Sequence, residues 1–251
     1  MNVAGKIGLL GLTALTLNAE NLKYDTVVLE KPKATIKGTL AQEFYSVDMR
    51  PSGFRVEDTP AGGTTLGLSY GNASTVLWSD YTKNGFREVD ITQKFGGTFT
   101  NVFDGALSLG VRGDFWAYPT DHISPGRRSD ILVGVEADYT HNRFGIGLKA
   151  FQLFENDNHS EGNMFAASLS YTLPLGSAGR WKFSASPVID LVGVRDFYTP
   201  HQTGFAHMTQ GLRLSAESGK LGISIGMHNQ TSFQPDKPDV LYFKLGAEVK
   251  F

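Results

Sequence analysis

Cysteine is absent from the 251-residue chain. That excludes disulfide scaffolds, thiolate metal centres and cysteine nucleophiles at once. Charge bias is also absent. With 23 Lys and Arg against 25 Asp and Glu, there is no basic field to attract nucleic acid. No apolar run reaches the roughly twenty residues that a membrane-spanning helix needs. Beyond the first two dozen residues, no segment repeats at the helical period. The mean hydropathy of −0.17 is that of an ordinary soluble protein. It misleads for any structure in which apolar and polar residues alternate and average out.

What the chain does have is 29 glycines and 12% aromatic residues, a composition that favours strands, tight turns and close backbone approach. It opens "MNVAGKIGLLGLTALTLNAENLKYD", with Lys6 before an apolar stretch of about eleven residues, Ile7 to Leu17, and small Ala19 before a polar segment. That layout predicts an export signal over residues 1–19. A leader over 20–33 and a single barrel domain over 34–251 complete the predicted organisation.

From residue 34 onward the pattern has period two, broken by turn-rich gaps. The last strand is the clearest. Leu241, Phe243, Leu245, Ala247, Val249 and Phe251 share one face, and Tyr242, Lys244, Gly246, Glu248 and Lys250 share the other. Counting back from it gives twelve strands, with ten or fourteen as alternatives. The count rests on reading "TTLGLSYGNASTVLWSDYT" as a hairpin turning at Gly71-Asn72. Short turns ("SGK", "SAGR", "THNR", "NVFDG") take turns with long polar loops ("PDKPD", "YTPHQTGF", "ENDNHSEG", "PTDHISPGRRS", "RPSGFRVEDTPAGG"). Strict alternation of this kind predicts an all-β, up-and-down antiparallel barrel with one short-turn rim and one long-loop rim.

Three features point the apolar face outward, to lipid. The chain has an export signal, charges lie mid-strand among glycines and serines, and aromatics gather near strand ends. Trp78, Tyr81, Phe115, Trp116, Phe197 and Tyr198 would girdle the loop rim. Phe95, Phe99, Phe144, Trp181 and Phe251 would girdle the turn rim. With its signal, its strand and loop pattern and its terminal "YFKLGAEVKF", the chain resembles the Gram-negative outer-membrane β-barrels. The resemblance implies a bacterial outer-membrane location and contact with outer-membrane lipid. It also implies that the barrel-assembly machinery reads the end of the chain, with Phe251 and Tyr242 as the assembly signal. In size the chain resembles the twelve-stranded group, which includes solute channels, a phospholipase and autotransporter domains.

On this register the lumen is lined by Lys37, Glu43, Asp90, Lys94, Arg112, Asp114, Glu136, Asp138, Lys149, Lys182, Asp190, Arg213, Glu217, Lys244 and Glu248, with Lys250 at the end. Eight positive residues then face eight negative ones. A balanced wall predicts a channel for passive diffusion of small polar solutes with little charge preference. The alternative is a set of ion pairs knitting a non-conducting barrel whose loops serve adhesion or partner binding. Two further readings rank lower. Asp25, Thr26, Val27 and Val28 resemble the box by which TonB-coupled transporters pair with a periplasmic strand, yet the chain has no room for the plug of such a transporter. His159 and Ser160 resemble part of a lipase site, but as adjacent residues they would point to opposite faces. No enzymatic activity is therefore expected. His122, His159, His201 and His207 match no metal-ligand spacing, and no motif calls for a cofactor. Oligomeric state leaves no mark in the sequence.

Overall fold

The computed structural model describes residues 27–30, 35–49, 55–57, 59–83, 85–118, 129–155, 162–196, 203–234 and 237–251. The predicted signal, Asp25 and Thr26 of the leader, and His122, His159, Ser160 and His201 lie outside these residues. So do Phe197 and Tyr198.

Twelve strands form the barrel: β1 (Ile36–Tyr45), β2 (Ala61–Tyr70), β3 (Ala73–Thr82), β4 (Gly85–Val102), β5 (Gly105–Ala117), β6 (Ser129–His141), β7 (Phe144–Glu155), β8 (Gly162–Tyr171), β9 (Trp181–Arg195), β10 (Thr203–Ser218), β11 (Leu221–Ser232) and β12 (Val240–Lys250). β8 is prolonged beyond Thr172 by Leu173–Ala178, which also pairs with β9. Every neighbour in the sequence is an antiparallel neighbour in space, and β12 returns to pair with β1, from Lys244↔Tyr45 to Lys250↔Thr39. Closure gives the backbone polar groups partners around the whole ring, the condition for strands to cross a bilayer.

The seam is sealed by the last residue. Gly38 and Phe251 exchange backbone hydrogen bonds of 2.8 and 2.9 Å. The Phe251 ring lies where a side chain at position 38 would be, its carbons 2.1–2.7 Å from an added Cβ. A glycine in β1 thus makes room for the terminal aromatic, as aromatic residues commonly cover glycines across neighbouring strands.

The hairpin at Gly71-Asn72 is present, with Gly71 at φ 59° in the left-handed region that glycine tolerates. The strict alternation of short and long connections fails at one place. On the loop rim, β3 ends at Thr82 and β4 begins at Gly85 (φ 114°), leaving two residues between them. The sequence there reads Lys83-Asn84-Gly85, and Asn-Gly is the strongest short hairpin signal. β4 therefore begins at Gly85, with Phe86 already in the strand.

Outward-facing positions form a continuous apolar belt. Leu241, Phe243, Leu245 and Val249 on β12, Ile223 and Ile225 on β11, and Val133 and Val135 on β6 are all exposed. A soluble monomer rarely exposes an apolar patch above a few hundred Å². A belt around a whole barrel is therefore stable only in lipid, and strands of ten or more residues suffice to cross it at a tilt. Tyr81, Phe95, Phe115, Phe144 and Phe251 face outward, as girdle residues should. Trp78 and Trp116 do not. Both are 6% exposed and point inward, because Trp78 shares its face with Asp80 and Trp116 with Asp114. Proximity to a strand end suggested a girdle, but residue parity sets the face.

Candidate functional site: the barrel interior

Directly paired residues on successive strands form rungs that climb the inner wall. One rung reads Lys37–Ser69–Ser74–Lys94–Arg112–Gly134–Phe151–Met164–Val194. Another reads Lys182–Glu217–Gly222–Glu248–Ala41–Thr65–Trp78–Asp90–Trp116–Asp130. The fifteen charged residues expected at the lumen share the parity of these rungs, and two of them, Asp90 and Asp114, are buried. Each rung starts polar at the turn rim and ends apolar or buried at the loop rim.

The turn-side half is a wet, charged wall. Lys94 Nζ sits 3.0 Å from Glu136 Oε1, and Lys244 Nζ 2.6 Å from Glu43 Oε1. The Tyr45 hydroxyl donates to the same Glu43 carboxylate at 2.5 Å, and Lys244 Nζ lies 5.1 Å from the Tyr45 ring centroid. Lys250 Nζ bridges Glu248 at 3.0 Å and Glu217 at 3.7 Å. Lys182 and Arg213 remain exposed on the wall. His228 stacks on Tyr242 with ring centroids 5.0 Å apart.

The loop-side half is a packed interior. Trp116, Leu132, Phe151, Leu153, Met164, Val192, Val194 and Ala206 form one buried cluster, and Leu132, Leu153 and Asp130 are 1%, 0% and 0% exposed. The two halves meet at Tyr45 and Tyr242, which with Val240 and Val47 form a second, smaller cluster. One ion pair lies at the boundary of the packed half. Arg112 donates through Nε to both Asp114 oxygens at 2.9 and 2.7 Å and through Nη2 to Oδ1 at 2.6 Å. Thr92 Oγ1 donates to Asp114 as well. The guanidinium carbon stands 5.3 Å from the Phe151 ring centroid, and that ring fills the space beside Gly134. The Tyr118 hydroxyl donates to Asp130 at 2.8 Å.

Sequence reasoning missed several inward residues: the carboxylates Asp80, Glu88 and Asp130, the indoles Trp78 and Trp116, and the apolar cluster itself. Carrying the parity of each strand through to its loop-side end was the signal that would have found them. With these carboxylates, and with Arg87 buried at the irregularity between β3 and β4, nine positive inward residues face eleven negative ones among the described residues. The added carboxylates are buried at the loop-side end, so the solvated wall keeps its near balance. His207, expected in a loop, is a buried inward residue of β10.

Of the leader, Val28–Leu29 is a short strand on the free edge of β4, pairing Val28↔Thr100 and Leu29↔Phe99. Val28 of the TonB-box-like segment is thus engaged within its own chain, with Val27 beside it.

No family model matches the sequence, and no curated protein is significantly similar to it. Solved structures are similar in fold. "KdgM porin in complex with disordered oligogalacturonate" superposes with TM-score 0.54 at 8% identity, covering 86% of this chain and 99% of that one. A second KdgM porin structure gives 0.50 at 9% identity over the same shares. The NanC porin gives 0.50 at 10% identity, over 85% of this chain and 100% of that one. Full-length coverage of these small barrels, the closed ring of twelve strands and the apolar exterior agree. The chain has the fold of these small porin barrels.

Proposed function

We propose that the protein is a small porin-like channel that passes small polar solutes by passive diffusion. The observation that carries this reading is the turn-side wall, where Lys182 and Arg213 are exposed and Lys250, Glu248 and Glu217, though paired with one another, keep 52%, 34% and 60% of their side chains exposed. Eight-stranded barrels fill with side chains, whereas twelve strands leave room for a narrow lumen. Selectivity follows from lumen width and from a wall of nearly balanced charge. That wall lacks the strongly basic field that an acidic oligosaccharide, the class named for the KdgM structure, would call for, so the solutes are small and polar with little charge preference. Export through the signal over 1–19 and assembly through Tyr242 and Phe251 belong to the same reading.

Planar-bilayer recording of the refolded protein tests it: discrete open-channel steps are the expected result, and their absence at every voltage would sink the reading. One observation favours a second reading, a non-conducting barrel that presents its loops to a surface partner. Leu132, Leu153 and Asp130 are buried inside the barrel, so packed side chains narrow the loop-side half. A barrel that this packing closes would serve as a scaffold.

A further inference from the structure

β4 runs seven residues past Phe95, where its pairing with Ala73 of β3 ends. On that side, residues 96–102 form a free strand edge at the turn rim. Two elements complete it. The Gly96 amide donates to the Asn72 carbonyl at 3.0 Å, and the leader strand pairs farther along. Beside that pairing, the Glu30 amide donates to Thr98 O at 2.8 Å, and Thr100 Oγ1 donates to Val28 O at 3.3 Å. Leu29 Cδ1 lies 3.1 Å from where a Cβ at Gly97 would be, so glycine leaves the seat into which Leu29 fits.

The clasp has a consequence for the lumen. Glu30 joins Lys37, Lys94, Glu136 and Asp138 around a polar cavity of about 740 Å³ at the turn-side mouth. Lys94 and Glu136 neutralise each other at 3.0 Å. Lys37 and Asp138 balance in sign. Among the described residues around this cavity, Glu30 is the charge left over, and it comes from the leader, not from the barrel.

We infer that Glu30 is a selectivity-determining residue of the periplasmic mouth, held there by the β4 clasp of Val28 and Leu29. This rests on the channel reading. A unit charge within a Debye length, ~10 Å at 0.1 M salt, biases the local concentration of small ions, and at 1 M salt, where that length is ~3 Å, the bias is largely screened. With potassium and chloride as the probe ions, the carboxylate favours potassium.

The test is the reversal potential of the full chain in planar bilayers across a potassium chloride gradient. Glu30→Gln should lower the potassium-to-chloride permeability ratio by about twofold near 0.1 M salt, Glu30→Lys should lower it further, and both differences should shrink at 1 M. Gly97→Val, which evicts Leu29 while keeping Glu30, should reproduce the Glu30→Gln shift. A heat-dependent change in gel migration confirms that each variant is a folded barrel. Folded, conducting Glu30→Gln and Glu30→Lys channels with the parent ratio would overturn this inference alone. A parent protein that never conducts would overturn it together with the channel reading.

Discussion

The two halves of the barrel interior share twelve strands and one alternation of residues, yet they solve opposite problems. In the turn-side half, Lys244–Glu43 and Lys250–Glu248 are ion pairs on a wall that water reaches. Such pairs trade one solvated state for another and add ~0–1 kcal/mol each. In the loop-side half, Leu132 and Leu153 make no contact with solvent, and Asp114 is 2% exposed beneath Arg112. There a charge without its partner has no water to turn to. Charge therefore adds little stability at one end, and packing supplies it at the other.

The largest test of this contrast removes the packing. Leu132→Ala and Leu153→Ala each delete buried side chains and leave cavities, at a cost of about 2–5 kcal/mol apiece. The two residues are direct partners through the rungs of β5 to β7 (Asp114↔Leu132 and Leu132↔Leu153), so the double variant should be non-additive. Unfolding followed by heat-dependent gel migration should show the loss. If the cluster is also what shuts the barrel, conductance in bilayers should rise. A double variant with the parent's midpoint and the parent's conductance would mean that the two halves do not differ as described.

A smaller effect is expected at the boundary between the halves. Arg112→Ala leaves the buried Asp114 carboxylate without its bidentate partner, at about 3–5 kcal/mol for a fully desolvated pair. Thr92 still donates to that carboxylate, which should hold the loss to the low end of the range. Lys94→Ala, on the same rung one strand away, breaks a pair whose lysine side chain is 31% exposed, and should cost about 1 kcal/mol or less. Equal midpoints for the two variants would erase the boundary.

The contrast was only half legible in the sequence. Period-two alternation names the face of each residue, and the fifteen charged lumen positions follow directly from it. The fold was legible for the same reason, down to the Gly71-Asn72 hairpin. Alternation says nothing about height, however. Phe151, Leu153, Met164 and Val192 are apolar residues on inward parity, and each has an apolar residue of the other parity directly beside it, as in "KAFQLF" and "DLVGV". In such a run both faces look alike. Only the pairing register, fixed by neighbouring strands, shows which Val or Leu turns inward. The leader was hidden for another reason. The edge that receives Val28–Leu29 exists because β4 outruns β3, and strand lengths are the least local property of a hairpin.

The smallest expected effect lies at the wet end of the seam. Lys250→Ala removes the cation shared by Glu248 and Glu217, with side chains 52%, 34% and 60% exposed respectively. At that exposure the unfolding midpoint should move by no more than the equivalent of ~1 kcal/mol. The two carboxylates are left on the wall without their cation, so the potassium-to-chloride permeability ratio should rise, and the rise should fade as salt is raised to 1 M. That is the reverse of the Glu30→Gln shift, a few strands round the same mouth. A combined Glu30→Gln, Lys250→Ala variant should return towards the parent ratio if the mouth behaves as one screened field. A ratio that follows only one of the two substitutions would place the narrow part of the channel next to that residue.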